Sequence, residues 1–159
     1  MKKSFATAVI FLLIDQLIKG FLVFFINIGE SIVVIKNFFN ITLALNKGAA
    51  FSILTSSSVF LILISIFVLC ALGYYVVKSK DIKNYEYIIY GFLMGGTAGN
   101  LVDRIIRGAV VDYLDFNFFG YAFPIFNFAD ICIVISMFLI IIYMIKEERD
   151  EVSGRWRRY

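Results

Sequence analysis

The sequence of 159 residues contains no histidine, one proline and two cysteines. Without histidine the chain cannot build a His-Glu-x-x-His zinc site, a Ser-His or Cys-His catalytic pair, or a histidine-ligated haem. Cys70 and Cys132 lie in apolar runs with no cysteine nearby, which is typical of small buried apolar residues and not of a disulfide or metal site. We therefore expect neither a metal nor a cofactor.

Charged residues are also scarce. They make up 17% of the chain, whereas hydrophobic residues make up 61%. An average soluble domain has about 25% charged residues and about 45–50% apolar residues. The formal net charge of +3 is small, and we expect no nucleic-acid partner. The length allows one domain at most, over residues 1–159. This composition predicts an integral membrane protein.

Four apolar stretches are long enough to cross a bilayer, which takes about 20 helical residues. They cover residues 5–26, 59–77, 85–104 and 125–145. We expect the first to be a retained span and not a signal peptide, because it contains Asp15 and Lys19 and no small-residue cleavage site follows it. The predicted fold class is an all-α polytopic membrane protein with four transmembrane helices.

The basic residues near the ends of the spans predict the orientation of the chain. Ten of them fall on one side, against four on the other: Lys2, Lys3, Lys78, Lys80, Lys83, Lys146, Arg149, Arg155, Arg157 and Arg158 against Lys36, Lys47, Arg104 and Arg107. Both termini are therefore expected in the cytoplasm, with residues 27–58 and 107–121 outside. Residues 39–46 alternate between apolar and polar, which predicts a strand and a small extracytoplasmic β-structured region.

Ionisable residues at membrane depth are costly, by about 2.5–3.5 kcal/mol on insertion scales, so each needs an explanation. Asp15 and Lys19 are spaced i, i+4 and are interpreted as a mutually neutralising pair. Asn100, Asp103 and Arg104 fall within about one turn at the end of the third span, which indicates a polar lining.

Asp130 is harder to explain as structural. Pro124 suits the first position of the fourth span, and Asp130 would then lie about 9 Å below the helix start at 1.5 Å per residue, on the same face as Asn127. A lone carboxylate there would have to protonate or find a partner.

Three aspartates are candidate partners. Asp112 is favoured because the run before it, residues 108–111, lacks charge and should draw it against the membrane, whereas Asp115 lies in a more polar stretch and Asp103 is a weaker third. Two carboxylates in a dry pocket share one proton, so one can activate water while the other protonates a carbonyl. A proton-coupled small transporter fits paired aspartates too, so the residues alone leave both functions open.

Five short motifs follow one another along the chain. They are Asp15-Gln16-Leu17-Ile18-Lys19, Asn46-Lys47-Gly48-Ala49-Ala50-Phe51, Gly95-Gly96-Thr97-Ala98-Gly99-Asn100-Leu101-Val102-Asp103-Arg104, Val110-Val111-Asp112-Tyr113 and Phe123-Pro124-Ile125-Phe126-Asn127-Phe128-Ala129-Asp130. In this order, in a four-span chain of this size, they resemble the bacterial lipoprotein signal peptidases (signal peptidase II) over essentially the whole length. Departures from the family pattern are mild: Lys47, Thr97 and Tyr113 replace other common residues.

The resemblance implies that Asp112 and Asp130 are the catalytic pair, without a metal. It implies that four further residues surround the substrate backbone, where globomycin-type cyclic peptides bind: Asn46, Asn100, Arg104 and Asn127. Asp15, Lys19 and Asp103 are expected to be structural polar residues.

The substrate implied by the resemblance is a prolipoprotein whose cysteine carries diacylglycerol. Water attack would cut it on the N-terminal side of that cysteine, near the outer face of the bacterial cytoplasmic membrane. Membrane lipid is the other expected partner, and a monomer is expected.

Two other classes fit less well. A transporter predicts polar residues at mid-membrane on several spans, whereas here they gather near the outer end, and no internal repeat is visible. Intramembrane aspartyl proteases of the presenilin kind carry a Gly-x-Gly-Asp motif that this chain lacks.

Overall fold

The computed structural model describes residues 1–48, 58–79 and 82–156, with side chains as far as residue 149. Within these ranges the chain forms four helices, α1 (Lys2–Phe25), α2 (Ser58–Lys78), α3 (Asn84–Arg107) and α4 (Phe128–Trp156). It also forms four strands, β1 (Ser31–Ile35), β2 (Phe39–Asn46), β3 (Val110–Phe118) and β4 (Tyr121–Ala122). Residues 49–51 of the second motif, the rest of the outer segment to residue 57, and Lys80, Arg157 and Arg158 lie outside the described residues.

Among the described residues, three helices are long and apolar enough to cross a membrane: Lys2–Phe25, Ser58–Lys78 and Phe128–Arg149. Their large apolar side chains are mostly exposed, as at Leu17, Leu63 and Val134. An apolar helix surface that faces outward is suited to lipid. The prediction of a mainly helical membrane protein is confirmed.

Helix α3 packs against the other three helices, and its glycines permit the close approach. A Cβ atom on Gly95 would lie 2.8 Å from the Ala8 carbonyl oxygen of α1. A Cβ atom on Gly96 would lie 2.5 Å from the Ala129 carbonyl oxygen of α4. Glycine therefore brings α1 and α4 close to two different faces of the same turn of α3, about 100° apart.

The strands form one antiparallel sheet in the order β1-β2-β3-β4, which confirms the predicted β-structured region and the strand over residues 39–46. The sheet packs against the C-terminal end of α1: Leu22 and Ile26 share a buried cluster with Leu43, Val111 and Tyr113. In this position β3 carries its side chains towards the ends of α1, α3 and α4.

The predicted start of the fourth helix is wrong. α4 begins at Phe128 and not near Pro124, because Phe126 is held extended by backbone hydrogen bonds with Leu114 (2.8 and 3.2 Å). Asp130 consequently lies in the first turn of α4 and not about 9 Å along it. The third helix ends three residues later than expected, at Arg107, where Gly108 adopts a left-handed φ of 72°.

Candidate active site

Asp112 projects from β3 and is 3% exposed. It accepts hydrogen bonds from the side-chain amides of Asn46 (3.0 Å) and Asn127 (2.6 Å). Burial raises the pKa of the Asp112 carboxyl to about 6, although both hydrogen bonds act in the opposite direction. A carboxyl group of this kind can carry or release a proton near neutral pH.

Asp130 is the third residue of α4. Asn127, immediately before the helix, is the residue that caps it. The Asn127 side-chain oxygen accepts from the Asp130 backbone N–H (3.0 Å), and an Asp130 carboxylate oxygen accepts from the Asn127 backbone N–H (3.1 Å). This is the reciprocal arrangement of a capping box. The other Asp130 oxygen accepts from the Asn100 side-chain amide at 2.8 Å, so the carboxylate is held at both oxygens.

Asn127 joins the two aspartates. Its side-chain nitrogen donates to Asp112 and its backbone nitrogen to Asp130, and the residue is fully buried. Two carboxylates that are far apart in the chain are thus brought to one place by a single residue between them.

All three N–H groups at the start of α4 have an acceptor. The Tyr113 hydroxyl accepts from Phe128 (3.2 Å), an Asp15 oxygen accepts from Ala129 (3.2 Å), and the Asn127 side chain accepts from Asp130. These N–H groups cannot bond within the helix and need such partners. The end of α4 that carries Asp130 is therefore fixed by β3 and α1 as well as by its own cap.

A second group of charges lies behind the first. The Lys19 ammonium lies 2.9 Å from an oxygen of Asp15 and 2.9 Å from an oxygen of Asp103, and all three side chains are buried. Asp103 also forms an ion pair with Arg107 and accepts from the backbone N–H of Val111 (3.1 Å). Because Val111 precedes Asp112, this group of charges also fixes the strand that carries the candidate catalytic aspartate.

Asn100 connects the two groups. Its side-chain oxygen accepts from Lys19 (3.0 Å) and from Asn127 (3.2 Å), while its nitrogen donates to Asp130. An ammonium group can only donate, so the oxygen of Asn100 must face Lys19 and the nitrogen must face Asp130.

Three residues of the site received no role in the sequence analysis. The Gln16 side chain donates to Asp15, Asp103 and the Gly99 carbonyl at 3.1–3.2 Å, and accepts from Arg107 at 3.2 Å. Arg107 is the second of these residues, and Tyr113, whose hydroxyl accepts from the Phe128 N–H, is the third. The i, i+4 spacing of Asp103 and Arg107 was a usable signal for that pair, whereas nothing in the local sequence indicates what Gln16 or the Tyr113 hydroxyl contacts.

A cavity of about 920 Å³ opens onto both aspartates. Its polar wall includes Asn46, Asn100 and Arg104, together with Asp112 and Asp130. The remaining wall is mainly apolar and is formed by the end of β2, the segment before α4, and α4 itself. The Arg104 guanidinium donates to the carbonyls of Asn100 (3.3 Å) and Gly48 (3.4 Å), which places a positive charge at the cavity.

Asp115 does not join the site. The polar stretch around Asp115 does not leave its side chain in solvent: Asp115 lies in β3, is half-buried and accepts from the Thr42 hydroxyl at 2.6 Å. Side chains alternate across a strand, so Asp115, three residues from Asp112, faces the other side of the sheet.

Two carboxyl groups held by amide donors at the wall of one cavity are suited to acid–base chemistry on a bound molecule. No three acidic or cysteine side chains within the described part of the chain gather as a metal site would require.

The family model for signal peptidase (SPase) II matches residues 7–146. The lipoprotein signal peptidase of Staphylococcus aureus (strain N315) is 40% identical over 144 residues, which cover 91% of this chain and 88% of that protein. The enzyme of strain Newman has the same values.

Two solved structures have the same fold. One, described as "Bacterial membrane enzyme structure by the in meso method at 2.3 A resolution", is 38% identical with a TM-score of 0.86, over 94% of this chain and 92% of that chain. A second, at 1.9 A, is 39% identical with a TM-score of 0.82, over 92% and 94%.

Proposed function

The chain belongs to the signal peptidase II family, and from this membership we propose that it cuts diacylglyceryl-modified prolipoproteins with Asp112 and Asp130 as the catalytic pair. The family consists of bacterial membrane hydrolases that process lipoprotein precursors. One observation carries the proposed pair: Asn127 bonds both carboxyl groups, and both face the same cavity.

In the proposed mechanism Asp130 is the base and Asp112 the acid. Asp130 lies at a helix N-terminus, where negative charge is favoured, and it accepts two N–H bonds. Asp112 lies on a strand and not at a helix N-terminus, and burial raises its pKa to about 6. The ionised Asp130 would take a proton from water as the water attacks the scissile carbonyl, while Asp112 gives its proton to the carbonyl oxygen. Asp130 would then give its proton to the leaving nitrogen as the C–N bond breaks, while Asp112 takes a proton back from a hydroxyl of the adduct.

Lys19 supports this assignment without touching the pair. Because it holds the oxygen of Asn100, the Asn100 nitrogen must donate to Asp130. Lys19 is therefore a positioning residue that fixes which end of the Asn100 amide faces Asp130.

The cavity walls suggest how the substrate lies. Asn100 and Asn127, expected at the substrate backbone, have their side-chain groups engaged with the aspartates and each other. Arg104 has only two long bonds to backbone carbonyls and is the better candidate for contact with the peptide. The apolar wall towards α4 fits the diacylglyceryl group.

Cleavage by the purified protein in detergent tests the pair. Asp112→Asn and Asp130→Asn should each abolish release of the signal peptide from a diacylated prolipoprotein, since an amide can be neither base nor acid. Asp115→Asn is the matched control, because it removes a carboxylate of the same sheet that lies away from the cavity. Turnover by either dyad variant at the control's rate would remove that residue from the mechanism.

Substrate specificity has its own test. The unacylated precursor should be a poor substrate, because two acyl chains hold a peptide at a membrane far more firmly than one or none. Globomycin should block cleavage. Equal rates for acylated and unacylated precursor would show that the lipid is not recognised.

We also propose that all four helices cross the membrane, with both termini cytoplasmic and the aspartates near the outer face. α3 has 24 residues, about 36 Å of helix, and its charged residues lie near its two ends. It can cross despite being less apolar because the other helices surround it. We propose a monomer.

Thiol labelling tests this orientation in a variant without Cys70 and Cys132. Lys36→Cys, in the β1–β2 turn, should react with an impermeant reagent in intact cells, whereas Glu148→Cys, near the end of α4, should not. Both side chains are exposed, so access depends on the side of the membrane. The reverse pattern would place the aspartates on the cytoplasmic side and contradict the proposal.

A further inference from the structure

The turn between β3 and β4 is unusually aromatic. Residues 116–126 include six aromatic residues and no charged residue. Phe119, at the tip, is fully exposed (107%), and Phe118, Tyr121 and Phe123 are exposed beside it. Single exposed apolar residues are ordinary, but a contiguous patch indicates a contact surface.

The backbone conformation at the tip of the turn is unfavourable for the aromatic residue that it exposes. Phe119 has a φ of 54° and Gly120 a φ of 91°, and the Asn117 side chain fixes the turn by accepting from the Gly120 N–H at 2.8 Å. The left-handed region is unfavourable for a bulky side chain and easier for glycine or asparagine. An aromatic ring is therefore presented outward by a backbone that does not favour it, without packing that would compensate.

The exposed tip is continuous with the wall of the active-site cavity. Ring centroids follow one another from Phe118 to Phe123 (6.1 Å) and from Phe123 to Phe126 (5.7 Å). Phe123 and Phe126 line the cavity. The position of the tip is thus coupled to one wall of the cavity through packed rings.

We propose that the β3–β4 turn inserts Phe119 and its neighbours into phospholipid, at the boundary of headgroups and acyl chains. The sheet that carries the turn packs on Leu22 and Ile26 at the end of α1, so it lies beside the end of a helix whose outward surface is apolar. Aromatic rings favour this boundary, and the absence of charge removes the cost of entering it. The inserted turn would hold the aromatic cavity wall level with the acyl chains of a lipidated substrate.

Single-tryptophan fluorescence tests the insertion without any substrate, so the result is independent of the catalytic assignment. The only tryptophan is Trp156; Trp156→Phe provides the background, and Phe119→Trp the probe. The protein is reconstituted in phosphatidylcholine–phosphatidylglycerol vesicles with acyl chains brominated close to the glycerol. Leu63→Trp, exposed on α2, is the reference for lipid, and Glu148→Trp the reference for water.

The Phe119→Trp emission should be blue-shifted and lost in brominated lipid, as for Leu63→Trp, and aqueous iodide should leave it unchanged. Quenching by iodide, as for Glu148→Trp, would overturn the proposal. Blue-shifted emission that neither agent quenches would indicate contact with a second copy and would also overturn it. Tyr121→Trp provides a second probe on the same turn if the first variant does not fold.

Discussion

Two pairs of aspartates lie side by side in this protein, and they differ in their partners. Asp15 and Asp103 are neutralised by Lys19, 2.9 Å from each, with Arg107 also bound to Asp103. The other pair, Asp112 and Asp130, is held by neutral amide donors and faces a cavity. Asp112 is buried like Asp15 and Asp103, whereas Asp130 is half-buried, so burial alone does not separate the two pairs.

The difference shows how a structural carboxylate is told from a chemical one. A buried carboxylate with a cation at contact distance is committed to its ion pair, because breaking such a pair is expensive. A carboxylate held only by amide donors has no such partner and is available for acid–base chemistry. Four substitutions test this contrast.

The largest effect is expected at Lys19. Lys19→Met would leave the carboxylates of Asp15 and Asp103 buried without their shared cation, and breaking such a group costs roughly 3–5 kcal/mol. Thermal unfolding in detergent should show a large loss of stability, whereas Lys36→Met, at an exposed turn, should leave it unchanged. A Lys19→Met protein as stable as the control would mean that the charges of the group do not support the fold.

The next effect has the opposite sign and depends on pH. The pKa of Asp112 is about 6 in the folded protein against an ordinary 3.8, so ionisation costs stability, by about 3 kcal/mol at most. The free energy of unfolding therefore keeps this contribution in full below pH 3.8, where Asp112 is protonated in both states, and loses it as the pH rises through 6. Asp112→Asn should thus melt above the parent protein at pH 8.

The gap between the two melting curves should close as the pH falls towards 4. Asp115→Asn, measured in parallel, corrects for changes common to any lost carboxylate of this sheet. A gap that is the same at pH 4 and pH 8 would show that Asp112 is not held in a costly environment.

A smaller loss is expected at Gly99. A Cβ atom there would collide with a carboxylate oxygen of Asp15, which Lys19 holds in place. Overpacking of this kind costs about 1–3 kcal/mol, and Gly99→Ala should lower both the melting temperature and the cleavage rate. Gly20→Ala is the matched control, since nothing lies within 4 Å of its Cβ position and alanine favours the helix. Equal behaviour of the two variants would contradict the close contact.

The smallest effect is expected at Asp115. Asp115→Asn weakens the bond from the Thr42 hydroxyl, worth about 1 kcal/mol, on the face of the sheet away from the cavity. Cleavage should stay at the parent rate. A loss of cleavage comparable to that of Asp112→Asn would contradict the placement of Asp115 outside the catalytic site.

The sequence predicted the features that local patterns encode. Alternating residues predicted β2, and apolar runs predicted the helices with ends within a few residues of those observed, except at α4. There the rule that places Pro124 at a helix start was overridden by the pairing of Phe126 with Leu114. The same pairing of strand and pre-helix segment brings Asp130 into the first turn, for which the spacing of Asn127 and Asp130, a capping residue and an acidic residue three positions later, was the local signal.

Contacts between distant parts of the chain were beyond such patterns. Asp15 caps α4 by accepting from Ala129, 114 residues away, and Gln16 reaches Gly99 and Asp103 across the α1–α3 contact. These bonds depend on how closely the helices approach and on how they are oriented. The glycines permit the close approach but do not determine the orientation. The spacing of Asp15 and Lys19 suggested their pairing, whereas Asp103 as a second partner of Lys19 follows only from the packing.

The pairing of residue 126 with residues 113 and 114 has a consequence for protein engineering. Three backbone hydrogen bonds (2.8–3.2 Å) close the chain at the base of residues 115–125, while residues 115 and 116 also pair with β2 and residues 123–125 line the cavity. The length of this segment is therefore set at both ends, and an inserted epitope would disturb the sheet or the cavity wall. A handle for purification or imaging belongs instead at Lys36, in the exposed β1–β2 turn, which takes no part in lining that cavity.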